Sequence, residues 1–313
     1  MNNGSNMKKV SAVVVTYNRI ELLKENIESL LNQNTKSLNN IIIINNNSTD
    51  GTKEYLETIN NKCVKIYHLN ENIGGAGGFN YGMRKFIEET TDDFVWIMDD
   101  DTIPKLNALS ELILASDKIG AFGYLASNVR WINGEFAKMN IPSIDSKNWL
   151  EKMDFDNAYP RIKKATFVSL LFSRSIIIKY GLPIKDFFIW GDDTEFTQRI
   201  SINEPSYFVT KSVVIHKILK NEGSSIFEDS SDKSRLARYR YGFRNGYYTS
   251  KKNGKNALAI QWLYVAKTLI KLMFFKTTNR YFKIKILFKG TVQGFFFNPL
   301  VEKLQENERE NDE

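Results

Sequence analysis

The sequence predicts an α/β protein: a mostly parallel sheet flanked by helices, with a basic helical segment after it. Three observations lead there. Apolar, β-prone runs alternate with helix-period segments four times between Lys8 and Met98, the pattern of a doubly wound sheet with right-handed crossovers. The last of these runs, Phe94 to Met98, drives straight into Asp99, Asp100 and Asp101, at the strand end where open α/β sheets place their ligands. Finally, fourteen Lys and Arg and no Asp or Glu lie between Arg235 and Lys289, so a chain of net charge +7 is about −7 everywhere else.

Composition sets the outer limits. With 313 residues, 42% hydrophobic and 25% charged, the chain suits one large globular domain and an appendage. Its single cysteine, Cys63, rules out an internal disulfide and fits a reducing compartment. The polar start, Met1 to Asn6, lacks the apolar core of a signal peptide, and no uncharged apolar stretch reaches ~18 residues, so no spanning helix is expected.

Taken in order, Lys8 to Thr16 is a first buried strand and Tyr17-Asn18-Arg19 its exit loop. Leu22, Leu23, Ile27, Leu30 and Leu31 recur at helical spacing within Glu21 to Asn34. Ile41 to Ile44 is a second strand, followed by a polar loop, Asn45 to Thr52, and a helix from about Lys53. Val64 to Leu69 is a third strand. It ends in a glycine-rich loop through Gly74, Gly75, Gly77 and Gly78 that lets backbone approach a ligand and feeds a helix. Beyond the acids, Thr102 to Ile119 reads as a helix after Pro104, and Gly120 to Val129 and Phe136 to Met139 as weaker strands. Pro142 to Pro160 has no period and reads as a loop over an acceptor site. Ala165 to Phe172 is a buried run, Ser173 to Tyr180 a helix, and Tyr207 to His216 a strand. The expected divisions are 1–232 for the sheet domain, 233–301 for amphipathic helices with a basic face, and 302–313 for a disordered charged tail.

Two acidic turns carry the chemistry. Carboxylates ~4 Å apart repel by about 1 kcal/mol per pair in water, and more in a drier site. A hard divalent cation, Mg²⁺ or Mn²⁺, explains the Asp99–Asp101 cluster and keeps positions open for phosphate oxygens. The second turn follows Trp190-Gly191 and holds Asp192 and Asp193. Like-charge repulsion can raise one member of such a pair toward the range of a general base, while the macrodipole also favours acids at a helix start. His216 closes a strand, either as a metal ligand or bonded to backbone; His68 reads as structural.

Val13 to Arg19, Asn46 to Thr52, Asp99-Asp100-Asp101 and Asp192-Asp193-x-Glu195-Phe196, in that order, resemble the inverting family 2 glycosyltransferases of GT-A fold. The resemblance covers Lys8 to His216. The glycine-rich loop and Trp190-Gly191-Asp192-Asp193 look more narrowly like bacterial galactofuranosyltransferases and their rhamnosyltransferase relatives. It implies that Asp99 and Asp101, with His216, hold Mn²⁺ or Mg²⁺, Asp99 by reaching the donor ribose or the ion's water shell. Thr16, Asn18, Arg19, Asn45, Asn47, Asp50, Asp99, Asp100 and the four glycines would surround a UDP- or dTDP-linked donor. Asp193 would be the base, with Asp192 beside it as acceptor ligand or alternative base, and Trp190 would stack on the acceptor sugar.

The function so implied is metal-dependent, inverting sugar transfer, galactofuranose favoured over rhamnose, onto a lipid-linked glycan of a bacterial surface polysaccharide. It implies an enzyme in the cytoplasm at the inner face of the membrane. The basic segment would rest on anionic lipid, or alternatively mediate homo-oligomerisation. Two other classes compete. Interleaved basic and aromatic residues from Arg235 to Tyr248 would suit nucleic acid, but the acidic turns repel phosphates unless metal is bound, so no nucleic-acid partner is expected. A nucleotidyltransferase shares an Asp-rich metal site but needs a basic triphosphate loop, which the chain lacks.

Overall fold

The computed structural model describes residues 7–148, 159–227 and 232–304. The first half is built as the sequence pattern requires: β1 (Val10–Thr16), α1 (Ile20–Leu31), β2 (Leu38–Asn45), α2 (Thr52–Glu57), β3 (Val64–His68), α3 (Gly74–Glu89) and β4 (Phe94–Asp99). The four strands are parallel. Their register sets Thr16 beside Asn45, Asn45 beside His68 and Val15 beside Asp99, so the loops leaving them open along one edge of the sheet.

The second half departs from expectation in places. Thr102 was expected to start a helix, but Thr102–Pro104 is a short strand, β5, because a residue preceding proline is pushed toward extended backbone. The helix α4 begins only at Ala108 (Ala108–Ile119), and β6 is Leu125–Trp131. The expected strand at Phe136–Met139 is a single bridge, Arg130 to Phe136, running into a 3₁₀ turn at Lys138–Asn140. Asn221 pins that turn by accepting from Lys138 N (2.8 Å) and donating to Phe136 O (3.0 Å). Within the expected loop from Pro142 to Pro160, β7 (Ser143–Ile144) pairs with β8 (Arg161–Lys164). Residues 149–158, the middle of that loop, lie outside the described residues. The buried run at Ala165 narrows to β9 (Leu170–Ser173), antiparallel between β4 and β6. There follow α5 (Arg174–Tyr180), capped by Ser173, then α6 (Asp192–Ser201) and β10 (Ser206–His216). The sheet order is β3-β2-β1-β4-β9-β6-β10-β8-β7, with β5 antiparallel on the end of β10.

Alternation along β1 builds two cores. Ala12 and Val14 join Leu23, Ile27 and Leu112 on one face, while Val13 and Val15 join Phe79, Met83 and Phe86 on the other.

The basic segment forms α7 (Lys233–Ala237), α8 (Tyr239–Lys252), α9 (Lys255–Phe274) and α10 (Arg280–Phe296). Helix α10 approaches α8 closely at two glycines: a Cβ on Gly290 would sit 2.5 Å from Arg240 O, and one on Gly294 2.7 Å from Tyr247 Cβ. Contrary to expectation, α9 is by length and composition apolar enough to cross a membrane; Lys267 and Lys271 interrupt its run, which hid it from a search for uncharged stretches. The expected tail also begins too early. Glu302 is docked, its carboxylate held by Arg84 (2.8 Å), Lys185 (2.6 Å) and Asn80 (3.0 Å), because three donors converge there. Residues 305–313 lie outside the described residues.

Candidate active site

The first acidic turn sits where β4 ends beside β5 and β10. Burial pushes the Asp99 carboxyl well above the carboxylate range. The charges of Asp101 and Asp100 push it further, Arg19 opposes, and Asp192 adds its own share. Asp192 is thus close enough to Asp99 for its charge to be felt there. Asp100 is buried, and burial raises it to about 6 against the pull of Arg19. Its carboxylate accepts from Thr16 Oγ1 (2.8 Å) and lies 3.3 Å from Arg19 Nη1. Thr16 and Asp100 were both expected to touch the donor; the structure instead bonds them to each other, which ties the first loop to the acidic turn.

Asp101 is gripped from two sides. Arg19 Nη1 lies 2.5 Å from its Oδ2 and His216 Nε2 3.1 Å from its Oδ1. Burial works to raise its carboxyl, and the His216 hydrogen bond with the charges of His216 and Arg19 more than offsets this, leaving it below the usual range. His216 Nδ1 is 2.7 Å from Asn140 Oδ1, and Asn140 Nδ2 donates to Thr166 Oγ1 at 2.8 Å. An amide oxygen only accepts, so Nδ1 carries the proton and Nε2 is the nitrogen turned to Asp101. Two lone pairs facing each other there need a cation, proton or metal, between them.

These residues fit a divalent ion. Asp101 Oδ1 is buried and otherwise without a hydrogen-bond partner. Its spacing from Nε2 is that of neighbouring ligands, about 3 Å apart around an ion with ~2.1 Å bonds. Among the described residues no three such side chains are gathered round one point. Asp99, expected to reach the donor ribose or the ion's water shell, is the last residue of β4 and stands apart from the Asp101–His216 pair. Asn140 acts behind the ligand. Asn140→Leu is expected to weaken Mn²⁺ binding about 10–100-fold, measured by titration followed by electron paramagnetic resonance; unchanged affinity would leave Asn140 a packing residue.

The first and second loops are stapled together. Asn18, at φ +54°, accepts from Thr49 N (2.7 Å) and its own N–H goes to Ser48 Oγ (3.0 Å). Asp50 accepts from Ile20 N (3.0 Å) and Thr52 Oγ1 (2.5 Å). Asn45 accepts from Ser48 N and meets His68 Nδ1, both at 3.0 Å, so His68 does have the structural contact expected of it. Asn18, Asn45 and Asp50 therefore shape the loops through internal bonds. Asn47 is exposed at the loop tip.

The glycines serve packing more than ligand approach. They form the first turns of α3 itself. A Cβ at Gly74, whose φ is +77°, would lie 2.0 Å from Phe188 O, and those at Gly77 and Gly78 would strike Ile73 and Val15 within 2.8 Å. Of the four, Gly75 alone has open space where a Cβ would stand.

The second acidic turn is strained. After a 3₁₀ turn at Lys185–Phe187, Ile189 N donates to Phe187 O at 2.7 Å around Phe188, which sits at φ +63°, ψ −60°. That is a γ-turn of the disfavoured hand. Trp190 (φ +63°) and Gly191 (φ +88°) are also left-handed, and the chain then enters α6 at Asp192. Asp192 is buried and pushed up to about 8 by desolvation and then by the charge of Asp193. Asp193, half-buried, is raised by desolvation, and its Oδ1 accepts from Thr194 N at 2.6 Å. Trp190 lies against Tyr239 of α8, ring centres 4.8 Å apart, and is only partly exposed. The sequence reading missed what secures this turn. Asn245 and Arg244 of α8 bond its carbonyls, and a lone Asn in a basic-aromatic run gives no signal for that.

Comparison with known proteins bears on this site. The family model described as "Glycosyl transferase family 2" matches residues 11–181. The chain is similar to the GalNAc(5)-diNAcBac-PP-undecaprenol beta-1,3-glucosyltransferase of Campylobacter jejuni, 36% identical over 110 residues, which span 34% of each chain. It is also similar to the galactofuranosyltransferase GlfT1 of Mycobacterium tuberculosis, 25% identical over 82% of this chain and 87% of that one. Among solved structures, the mannosyltransferase PcManGT of Pyrobaculum calidifontis, in complex with GDP-Man and Mn²⁺, superposes with a TM-score of 0.55 at 16% identity, covering 93% of this chain and 88% of that one. With the family model spanning more than half of its length, this chain belongs to glycosyl transferase family 2.

Proposed function

We propose that this chain is a metal-dependent, inverting glycosyltransferase that moves galactofuranose from a UDP-linked donor onto a lipid-linked glycan. The observation that carries the reading is the buried Asp101–His216 pair, 3.1 Å apart and fit for a divalent ion, with the Asp192–Asp193 turn near enough for Asp192 to act on Asp99. The similarity to a galactofuranosyltransferase over most of both chains supports the sugar, and the undecaprenol-linked substrate named for the Campylobacter relative supports the acceptor.

In this mechanism Asp101 and His216 would hold Mn²⁺ or Mg²⁺, with Asn140 fixing the histidine. The ion supplies charge neutralisation for the donor diphosphate and its leaving nucleotide. Asp193 accepts the proton of the acceptor hydroxyl as that oxygen bonds to the anomeric carbon. The bond from this carbon to the diphosphate breaks on the opposite face, so configuration inverts. Asp192, protonated, donates to or positions the acceptor. Arg19, paired with Asp100 and Asp101, carries a positive charge that would favour the donor diphosphate beside the acidic turn.

The test incubates the protein with Mn²⁺ and a panel of UDP- and dTDP-sugars, including UDP-galactofuranose and dTDP-rhamnose, and follows nucleotide release with and without a lipid-linked acceptor. Release from UDP-galactofuranose alone is expected. Turnover of dTDP-rhamnose instead replaces the sugar and keeps the mechanism; no metal-dependent turnover of any donor overturns both.

The same proposal puts the protein in the cytoplasm on the inner membrane face, with residues 1–232 carrying the chemistry and 233–301 facing lipid. Ile260, Leu263, Ile270 and Phe274 are exposed along one face of α9, and Phe288 and Phe295 along α10, with exposed Lys267, Lys271 and Lys289 on the same helices. The α8 tyrosines that suggested nucleic acid instead pack internally, Tyr241 on Phe188 and Tyr248 on Phe187. Sedimentation with phosphatidylglycerol vesicles is expected, weakening as salt rises and lost in a Leu263→Glu, Phe274→Glu variant. A wild-type dimer at all concentrations with no vesicle binding would make this face an interface between copies.

A further inference from the structure

Asn245 is a buried polar side chain of α8 with bonds from both ends of its amide. It is 1% exposed, and its Nδ2 lies 3.0 Å from Phe187 O, 3.0 Å from Ile189 O and 2.8 Å from Trp190 O. Two N–H bonds thus serve three carbonyls, all in the turn that leads into Asp192. Its Oδ1 accepts from Arg244 Nε at 2.9 Å, which settles the amide's orientation. Arg244 Nη2 reaches the same turn at Asp186 O (2.5 Å) and Phe187 O (3.1 Å). The turn needs holding. Left-handed conformations at Phe188 and Trp190 are each unfavourable for a residue with a side chain and persist only where the surroundings impose them.

Packing confirms that α8 and the turn are fitted to one another. Tyr241 stacks on Phe188 at 4.7 Å, and a Cβ added at Gly242 would already touch Trp190 at 3.4 Å. On its far side the turn meets α3, where Ala76 N donates to Phe188 O (3.2 Å). The turn is therefore clamped between the glycine-rich helix start and a helix of the basic segment.

We propose that Asn245, supported by Arg244, is a positioning residue: it holds the strained 187–191 turn so that the Asp192–Asp193 pair stands in working geometry, and makes the transfer rate depend on the docked C-terminal helices. This rests on the reading of that pair as the acid–base site. Removing the amide takes this donor from the carbonyls of Ile189 and Trp190, while Phe187 O keeps Ile189 N and Arg244 Nη2, and frees the turn to relax out of its left-handed conformations. The carboxylates then move relative to the acceptor, while Asp101, His216 and the first two loops, which Asn245 does not touch, stay in place. A shift of about 1 Å in a reacting group lowers turnover on the order of 10²-fold.

The test uses the full chain with Asn245→Ala, Asn245→Asp and the milder Arg244→Met. The readouts are UDP release from UDP-galactofuranose, UDP binding in Mn²⁺, and hydrogen exchange across 186–195. The expected result is a kcat lowered on the order of 10–100-fold in the Asn245 variants and less in Arg244→Met, with donor KM and UDP affinity within about twofold. Exchange across 186–195 should accelerate while β1 and β4 keep wild-type rates. Unchanged kcat and exchange would overturn the proposal. So would a parallel loss of kcat and UDP binding, which marks general unfolding; Arg244→Met decides the case if the Asn245 variants do not fold. Transfer that survives in Asp192→Asn and Asp193→Asn overturns the catalytic reading itself, whereas inactive Asp variants beside fully active Asn245 variants remove only the positioning role.

Discussion

Replacing Asp193 by Asn is expected to lower transfer by about 10²–10⁴-fold while UDP binding in Mn²⁺ stays within about twofold. The contrast between the two carboxyls singles out this one. Asp192 is 7% exposed, and desolvation followed by the charge of its neighbour pushes it up to about 8, so at neutral pH it keeps its proton. Asp193 is more open and accepts an N–H bond from Thr194, which favours its ionised form against the rise that burial causes. One proton on the pair thus rests on Asp192 and the charge on Asp193, the division of labour that a base beside an acceptor-binding acid requires. The base must be ionised, and its titration is shifted upward, so kcat/KM falls as pH is lowered through a limb above the ordinary Asp range. A limb at the ordinary position would assign the proton transfer elsewhere.

The same shift affects stability. The folded state holds a proton on Asp192 that the unfolded chain releases above about pH 4. More protons bound in the folded state means that stability falls as pH rises, here between about 4 and about 8. Asp192→Asn removes this penalty, so the melting temperature should rise more at pH 8 than at pH 5, even as activity drops. A melting curve independent of pH in both proteins would show that Asp192 is not held protonated.

How far the site was legible follows from what each residue answers to. Strand-then-carboxylate runs announce themselves, because a buried parallel strand has a continuous apolar pattern and acids at its end stand out. Asp99–Asp101 stood out that way, and Asp192–Asp193 stood out behind an aromatic run that folds as a turn rather than a strand. The later strands were harder to read. β5 and β9 are short and antiparallel, so they do not follow the parallel strand–helix rhythm, and the helix read within Thr102 to Ile119 begins only at Ala108. The glycines of α3 were misread for a different reason. A glycine needed for close packing and one needed for a ligand look alike in sequence, and only the positions of Val15, Ile73 and Phe188 separate them. Asn140 and Asn245 gave no signal, since an amide's value lies in the partners that distant segments bring to it.

Asp101→Ala is expected to abolish the joint effect of metal and nucleotide. In the wild type, Mn²⁺ with UDP should raise the melting temperature as the concentration of both exceeds their dissociation constants. In the variant this rise should disappear, with nucleotide affinity in Mn²⁺ lower by about 10³-fold, because a carboxylate ligand and the ion's Lewis-acid contribution are worth several kcal/mol together. The ligand-free melting temperature should move much less. Removing Asp101 takes a partner from Arg19 and His216, but it also removes one of the charges that push Asp99 and Asp100 upward, and Arg19 retains Asp100 at 3.3 Å. The two losses oppose each other in a cluster whose acids already repel. Asp100→Asn gives the complementary result. It should loosen the first loop, since Thr16 and Arg19 both bond that carboxylate, while leaving His216 and Asp101 to bind Mn²⁺. If both variants lost the metal response equally, the ion would be held by the acidic turn as a whole, and the pairing of Asp101 with His216 would not be its site.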